Sequence, residues 1–358
     1  MTSTELFFGL LKYFCGTQAD LPSVASREEW DPVYELATKQ ALLGCVFHVM
    51  EQYPKDLYPE KKKVLGWWWA AAEAIKARNT EMDKLIPRLV DLFGEKGFSS
   101  ILLKGQGIAR YYPLPECRAP GDVDLWVLGD RKDIVPIIRA RNPKGRICYH
   151  HGDYGQVDGL EVEVHFKPTW MYSPFKNRRL QAFFERSSQP RTIVLDGREV
   201  AAPNKVFDGV FLLVHMFRHL FTEGIGLRQM MDYAFFLMSG LSEDEREAIL
   251  SEVRALGLRK FFRAVMYVQQ TVFGLEASYL PDLVDPDAGA FLLDEIMLSG
   301  NFGYYDVRQA ARPRNRILRV IWKLKRNLRF FAQYPSETLW APLWKSWHEV
   351  WRKRHSYK

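Results

Sequence analysis

Between Gly97 and Pro203 the hydropathy of this chain changes period, and that change constrains the fold more than any other feature. Upstream, apolar residues recur at helical spacing through Leu6–Phe14, Val33–Met50 and Val64–Phe93, as a helix burying one face requires. Downstream, the helical period returns through Val206–Phe221, Leu227–Ser239, Ser242–Leu256, Leu258–Phe273 and Ala288–Leu298. In between lie two short apolar runs, Phe98–Leu103 and Asp122–Val127, and the strict alternation of Leu160–Phe166. Runs of that length and period make strands. The expected fold class is therefore α+β, a small mixed β-sheet inserted between N-terminal and C-terminal helical regions. The expected divisions are 1–96 (N-terminal helices), 97–203 (sheet core), 204–306 (C-terminal helical lobe) and 307–358 (basic, Trp-rich helical tail).

Local punctuation supports this division. Asp158-Gly159 and Asp196-Gly197 are dipeptides favoured in two-residue hairpin turns. They predict one hairpin of Tyr154–Val157 with Leu160–Phe166 and another of Arg191–Leu195 with Glu199–Ala201. Arg146–Tyr149 reads as a further short strand. Gly105–Tyr112 reads as a helix stopped by Pro113 and Pro115, and Asp130–Arg141 as a helix in spite of Pro136. Asp31-Pro32 and Tyr53-Pro54 mark breaks among the N-terminal helices.

The chemistry concentrates in Gly121-Asp122-Val123-Asp124-Leu125-Trp126-Val127. Side chains alternate across a strand, so Asp122 and Asp124 share one face while Val123, Leu125 and Val127 turn to the core. Neighbouring carboxylates repel unless a cation lies between them, and magnesium takes such hard oxygen ligands together with substrate phosphates. In Leu160–Phe166, Glu161, Glu163 and His165 share a face. If the two strands lie close, one Glu completes a three-carboxylate cluster able to hold two ions, magnesium or alternatively manganese. One ion would hold a triphosphate and the other would lower the pKa of an attacking hydroxyl. The plainer reading of each pattern, taken singly, is a solvated strand edge.

The preceding segment adds to the first reading. Ile101-Leu102-Leu103-Lys104-Gly105-Gln106-Gly107 sets a strand, a glycine turn and a helix start in succession. Backbone N–H groups at such a start bind phosphate, and Lys104 adds a cation. It is not a Walker loop, because the G-x-x-x-x-G-K-[ST] spacing is absent.

Taken together, Leu102-Leu103-Lys104-Gly105, Arg118, Gly121-Asp122-Val123-Asp124-Leu125 and Val162-Glu163-Val164-His165 resemble the polymerase-beta-like nucleotidyltransferase superfamily. Within it they look most like a bacterial group of uncharacterised nucleotidyltransferases, over roughly Phe98 to Leu237. The resemblance implies a nucleotidyltransferase core and magnesium-dependent transfer of a nucleoside monophosphate from a triphosphate such as ATP. The acceptor would be a hydroxyl on RNA, protein or a small molecule, and some related families act as toxins. It implies Asp122, Asp124 and Glu163 as catalytic metal ligands, with Glu163 preferred to Glu161. It places Lys104, Gly105 and Arg118 on phosphates, and His165, His215, Arg228 and Asp232 in support. One departure is Gly105-Gln106, where the wider superfamily has Gly-Ser; Lys104 or Arg118 would then replace the serine hydroxyl. The rival reading is a non-catalytic nucleotide- or RNA-binding module on the same fold, against which the complete acidic trio argues.

Charge and aromatics raise a separate expectation for the C-terminal segment. Val307 to Lys358 holds 14 Lys or Arg against Glu337 and Glu349, so +12 of a chain total of +7, leaving about −5 for the rest. The run Arg312, Arg314, Arg316, Arg319, Lys323, Lys325, Arg326 and Arg329 has no interrupting acid, and Trp344, Trp347 and Trp351 recur at helical spacing. This fits a packed aromatic stripe with a solvated basic face, an RNA-phosphate contact, or, less well, a membrane-surface helix. No uncharged run is long enough for a transmembrane segment. The N-terminus lacks a basic leader, and Cys15, Cys45, Cys117 and Cys148 have no C-x-x-C spacing, so free thiols in a cytoplasmic protein are expected. His215 and His219 stand at i and i+4 with no third zinc ligand nearby, and Arg228 with Asp232, also four apart, is expected as an ion pair.

Overall fold

The computed structural model describes residues 1–308 and 315–355, without the side chains of residues 316, 317, 319, 320, 323 and 324. Of the basic run, Arg312 and Arg314 lie outside the described residues, as do the side chains of Arg316, Arg319 and Lys323. The N-terminal region comprises α1 (Ser3–Cys15), α2 (Trp30–Lys39), α3 (Leu43–Met50) and the one-turn α4 (Lys61–Lys63). A wide-turned stretch, Val64–Trp69, carries α4 into the long α5 (Ala70–Gly94). The run expected as Val33–Met50 is two helices, parted at Ala41, whose φ is 56°. Buried Gln40 explains the break, because its side chain donates to the Ile296 carbonyl and accepts from the Leu227 amide. Asp31-Pro32 starts a helix instead of breaking one, since Pro32 falls in the first turn of α2, where no amide is missed.

The sheet core follows in the order β1 (Ser99–Leu103), α6 (Gly105–Ala109), β2 (Val123–Leu128), α7 (Arg131–Arg141), β3 (His151–Val157), β4 (Leu160–His165), α8 (Pro174–Arg186), β5 (Pro190–Leu195) and β6 (Arg198–Pro203). The four-stranded sheet runs β1-β2-β4-β3, and β5-β6 form a separate pair. β1 is antiparallel to β2, β2 is parallel to β4, and β4 is antiparallel to β3, so the sheet is mixed as expected. Both Asp-Gly turns close their hairpins with positive φ at both residues: 51° and 76° at Asp158-Gly159, 48° and 74° at Asp196-Gly197. That is the turn whose twist matches paired strands. Two expectations are corrected. Arg146–Tyr149 makes no strand beyond an isolated bridge of Ile147 with Gly152, because the chain enters β3 only at His151. α6 ends at Ala109 instead of Tyr112, a single turn.

The alternation that builds β2 and β4 buries one face and leaves chemistry on the other. Val123, Leu125, Val127, Val162 and Val164 join a core with Leu85, Ile86, Leu89 and Phe93 of α5 and Ile134 and Ile138 of α7. On the opposite face, Ile101, Leu103 and Trp126 join the aromatic core of the helical lobe. That lobe is α9 (Lys205–Thr222), α10 (Leu227–Met238), α11 (Glu243–Ala255), α12 (Arg259–Phe273) and α13 (Pro286–Ser299). The acid-bearing face of the sheet therefore looks toward the lobe.

Two further helices, α14 (Arg316–Leu328) and α15 (Pro335–His355), come back over the core. Trp344 stacks on Trp170 with centroids 3.7 Å apart and planes at 3°. The Tyr149 amide donates to His348 Nε2 at 3.2 Å, and the Tyr172 amide donates to Glu337 at 2.9 Å. Of the tryptophan stripe, Trp344 is thus packed against the core, while Trp347 is 47% exposed. All four cysteines are buried and unpaired. Among the described residues no helix is long and apolar enough to cross a membrane.

Candidate active site

Parallel pairing of β2 with β4 sets Asp124 directly beside Glu163, and Asp122 is the residue before β2. Carboxylate oxygens of Asp122, Asp124 and Glu163 all lie within 4.8 Å of one another. A divalent ion with oxygen ligands at about 2.1 Å gathers its ligands into a span of that size, so the trio fits one. Glu161, on the strand outside this group, is hydrogen-bonded to Gln156 at 2.7 Å. Lys104 reaches the trio from the turn after β1, with Nζ 2.8 Å from Asp124 Oδ2 and 4.0 Å from Asp122 Oδ1. The turn is left-handed at both Lys104 (φ 42°) and Gly105 (φ 48°). Glycine adopts that at little cost and lysine at some, which ties the ammonium's aim to a strained backbone.

Two histidines hold the acids from the far side. His165 Nε2 lies 2.8 Å from Asp124 Oδ1 and 3.5 Å from Glu163 Oε2, and His151 Nδ1 lies 2.9 Å from Glu163 Oε2. Burial alone would raise the Glu163 carboxyl, but hydrogen bonds from His151 and His165 outweigh it and hold it well below the usual range. The Lys104 ammonium lowers Asp122. Burial acts downward on Lys104, His151 and His165, yet neighbouring acceptors win in each case. Lys104 is raised by the three carboxylates, His151 is pushed up to about 9 by Cys148 and Glu163, and His165 is raised by Asp124 and Glu163. Among the described residues a second group able to hold an ion is His151, Glu163 and His165. Its nitrogen ligands suit manganese or zinc better than magnesium, while the all-oxygen group suits magnesium.

These residues line one side of a cleft of about 750 Å³ whose other walls are α9, α10 and the returning C-terminal helices. Arg118 opens on it but is committed elsewhere. Its Nε and Nη2 donate to Asp232 at 2.7 and 2.9 Å, and Tyr112 adds a third bond to Asp232 at 2.7 Å. Only Nη1 of Arg118 has no partner. The expected Arg228–Asp232 ion pair is accordingly not formed, since Asp232 uses both oxygens on Arg118. Arg228 instead donates to the Ala119 carbonyl at 3.1 Å and lies against Gly121, next to Asp122. Gln106, in the place of the superfamily's serine, turns inward to Asp83 and is buried. His215 is in the cleft wall with its ring 4.3 Å from that of His219, and burial holds it neutral, well below its ordinary pKa. His219 contacts Glu223 at 3.0 Å, and neither histidine belongs to a metal-capable group among the described residues.

Sequence reasoning missed His151 and Arg218. His151 carried a signal in the alternation His151-x-Asp153 opening β3, opposite His165 and Glu163. Arg218 carried none, for its place depends on how α9 crosses the sheet.

Comparison with known proteins gives the family. The family model described as uncharacterised nucleotidyltransferase matches residues 26–274, more than half of the chain. No curated protein matches the sequence. A crystal structure of an antigenic nucleotidyltransferase-like protein from Paracoccidioides brasiliensis is similar at 12% identity and a TM-score of 0.32, covering 55% of this chain and 97% of that one. With a family model spanning the turn, both acidic strands and helices α9 and α10, the chain belongs to the family of uncharacterised nucleotidyltransferases.

Proposed function

We propose that this chain transfers a nucleoside monophosphate from a nucleoside triphosphate to a hydroxyl acceptor, with magnesium as the working ion. The observation that carries the reading is the convergence of Asp122, Asp124 and Glu163 within 4.8 Å beside the Lys104-Gly105 turn. Asp122 and Asp124 would hold two ions and Glu163 the one near the acceptor. When bound, the ions neutralise triphosphate charge and lower the pKa of the acceptor hydroxyl. The acceptor oxygen bonds to the α-phosphorus as the bond to the bridging oxygen of the β-phosphate breaks; pyrophosphate leaves and the hydroxyl proton passes to solvent. His165 and His151 keep Asp124 and Glu163 in place through the contacts above, so the acids are preorganised. Lys104 and the Gly105 amide face the phosphates from the β1 side. Arg228, beside Asp122, joins them, and Arg118 adds its unmatched Nη1.

The test is incubation of the full chain with each labelled triphosphate, magnesium and cell extract, against an Asp122→Ala, Asp124→Ala variant. Label entering a product with the wild type alone identifies donor and acceptor together. Label bound and released unchanged by both proteins would favour the non-catalytic nucleotide-binding reading instead. An RNA product, the acceptor favoured by the basic C-terminal segment, would be released by ribonuclease.

A further inference from the structure

The helical wall of the cleft contains donors with nothing to donate to. Arg218, on α9, directs Nη1 to within 3.2 Å of His150 Nε2 and Nη2 to within 3.4 Å of His219 Nε2. The second contact is sound, because His219 Nδ1 faces Glu223 at 3.0 Å and leaves Nε2 as the acceptor. The first is not. Trp170 Nε1, which can only donate, gives its hydrogen to His150 Nδ1 at 3.0 Å, so the proton of that imidazole sits on Nε2. An N–H of Arg218 therefore meets an N–H of His150. Arg218 Nε and the buried Tyr172 hydroxyl, both lining the same cleft, also have no hydrogen-bond partner, and no carboxylate pairs with Arg218 among the described residues. A half-buried guanidinium that faces other donors, with its Nε shut away from solvent, is costly until an anion accepts from them. A tetrahedral oxyanion has enough acceptor oxygens to satisfy all three groups.

The position of these donors identifies what the anion belongs to. Across the sheet the order is the Lys104 turn after β1, the two aspartates on β2, Glu163 and His165 on β4, and His150 just ahead of β3. Arg228 lies with Gly121 and Asp122 on the first side. Arg218 and His150 lie beyond Glu163 on the other, against Trp170, whose ring is 5.2 Å from the Arg218 guanidinium and is roofed by Trp344. We propose that Arg218 and His150 form a phosphate subsite for the acceptor, so that the hydroxyl substrate is itself a phosphate-bearing molecule. The assignment of sides rests on the transfer reading above, in which Glu163 serves the acceptor; the existence of the subsite does not.

Binding of ribose 5-phosphate, ribose and a 5′-phosphorylated hexa-adenylate to the full chain tests this by calorimetry, without any turnover. Ribose 5-phosphate or the oligonucleotide should bind and ribose should not, and the tighter of the two shows whether the phosphate comes from a small molecule or a chain end. Arg218→Gln should weaken that binding by about tenfold or more, and Arg218→Lys by less. Affinity for a non-hydrolysable triphosphate should stay within about twofold in Arg218→Gln and fall in Arg228→Gln. Should Arg218→Gln fail to fold, Arg218→Lys and His150→Phe carry the comparison. Equal binding of ribose and ribose 5-phosphate, or binding that ignores Arg218 and His150, overturns the subsite. A triphosphate affinity that falls as far as that for ribose 5-phosphate places Arg218 on the donor and overturns the acceptor assignment. Phosphate binding that persists in a chain shown to transfer nothing would leave the subsite standing and sink the transfer reading alone.

Discussion

The two walls of the cleft treat charge in opposite ways. On the sheet wall every acid has a cation at hand: Lys104 for Asp122 and Asp124, His165 for Asp124, His151 for Glu163. On the helical wall the guanidinium groups of Arg218 and Arg228 find only imidazole and carbonyl partners. Burial consequently pulls both arginines below their ordinary pKa, while the acids opposite drive Lys104 above its own. The difference teaches that the cleft suits a guest carrying its own negative charge. One wall gathers cations for it, and the other faces it bare.

The largest expected effect comes from removing charge on the sheet wall. Asp124→Asn keeps the shape but removes the negative charge that faces Lys104 and would hold an ion, and should lower transfer by about 10²–10³-fold or more. Initial rates on the identified acceptor measure it, and an undiminished rate would end the proposed chemistry. Next is Asp232→Ala, which leaves Arg118 buried with no counter-charge and should cost about 3–5 kcal/mol in urea unfolding. Arg118→Met with Asp232→Leu should recover most of that loss. The double variant also sharpens the comparison. Unchanged triphosphate affinity makes Arg118 a strut between the loop before β2 and α10, and a clear loss makes it a phosphate ligand.

How far these walls were legible follows from the range of the forces that build them. Val123 against Asp124 and Val162 against Glu163 are decided by strand alternation, which a few residues of sequence display. The Asp-Gly turns are likewise local, since only the turn's own dihedrals are at issue. What brings Asp124 to Glu163 is a parallel pairing across an intervening helix and strand, and the sequence allowed it only as a condition. His151 enters through the antiparallel pairing of β3 with β4, which sets it opposite His165. Arg118 with Asp232, Gln106 with Asp83 and Gln40 with Leu227 are partners distant in the chain, chosen by packing and not by spacing. For that reason Arg118 read as a phosphate ligand and Gln106 as a departure from the superfamily's phosphate turn.

A buried acid outside the cleft offers a control. Asp208, in the first turn of α9, is pushed up to about 7 by burial, which Arg191 at 3.6 Å and the Tyr111 hydroxyl only partly offset. Its folded pKa exceeds its unfolded value of 3.8, so the native state holds the proton more tightly. Its contribution to stability is therefore full below pH 4 and declines as the pH rises to about 7, by on the order of a few kcal/mol. Asp208→Asn should flatten that decline in urea titrations at pH 4, 6 and 8, becoming relatively more stabilising as the pH rises. Asp122, lowered by Lys104, must behave in the opposite sense, contributing above its unfolded pKa and losing that contribution in acid.

The smallest effect concerns the roof. Trp344 meets Trp170 face to face and also packs edge-on against Tyr149 and Tyr172, so aromatic contacts hold α15 together with the Glu337 and His348 hydrogen bonds. Trp344→Ala removes the stack, worth on the order of 1 kcal/mol beyond the area it buries, and α14–α15 should open more often. Limited proteolysis should then cut between residues 308 and 335 faster than in the wild type, with the family-matched portion left intact. The comparison of walls adds a direction to this. A phosphate held at Arg218 lies beneath the same roof, so ribose 5-phosphate should slow that cleavage in the wild type and in Trp344→Ala, but not in Arg218→Gln. Slowing in all three would mean that the ligand closes the helices over some other part of the cleft, and that the bare wall is not where the anion sits.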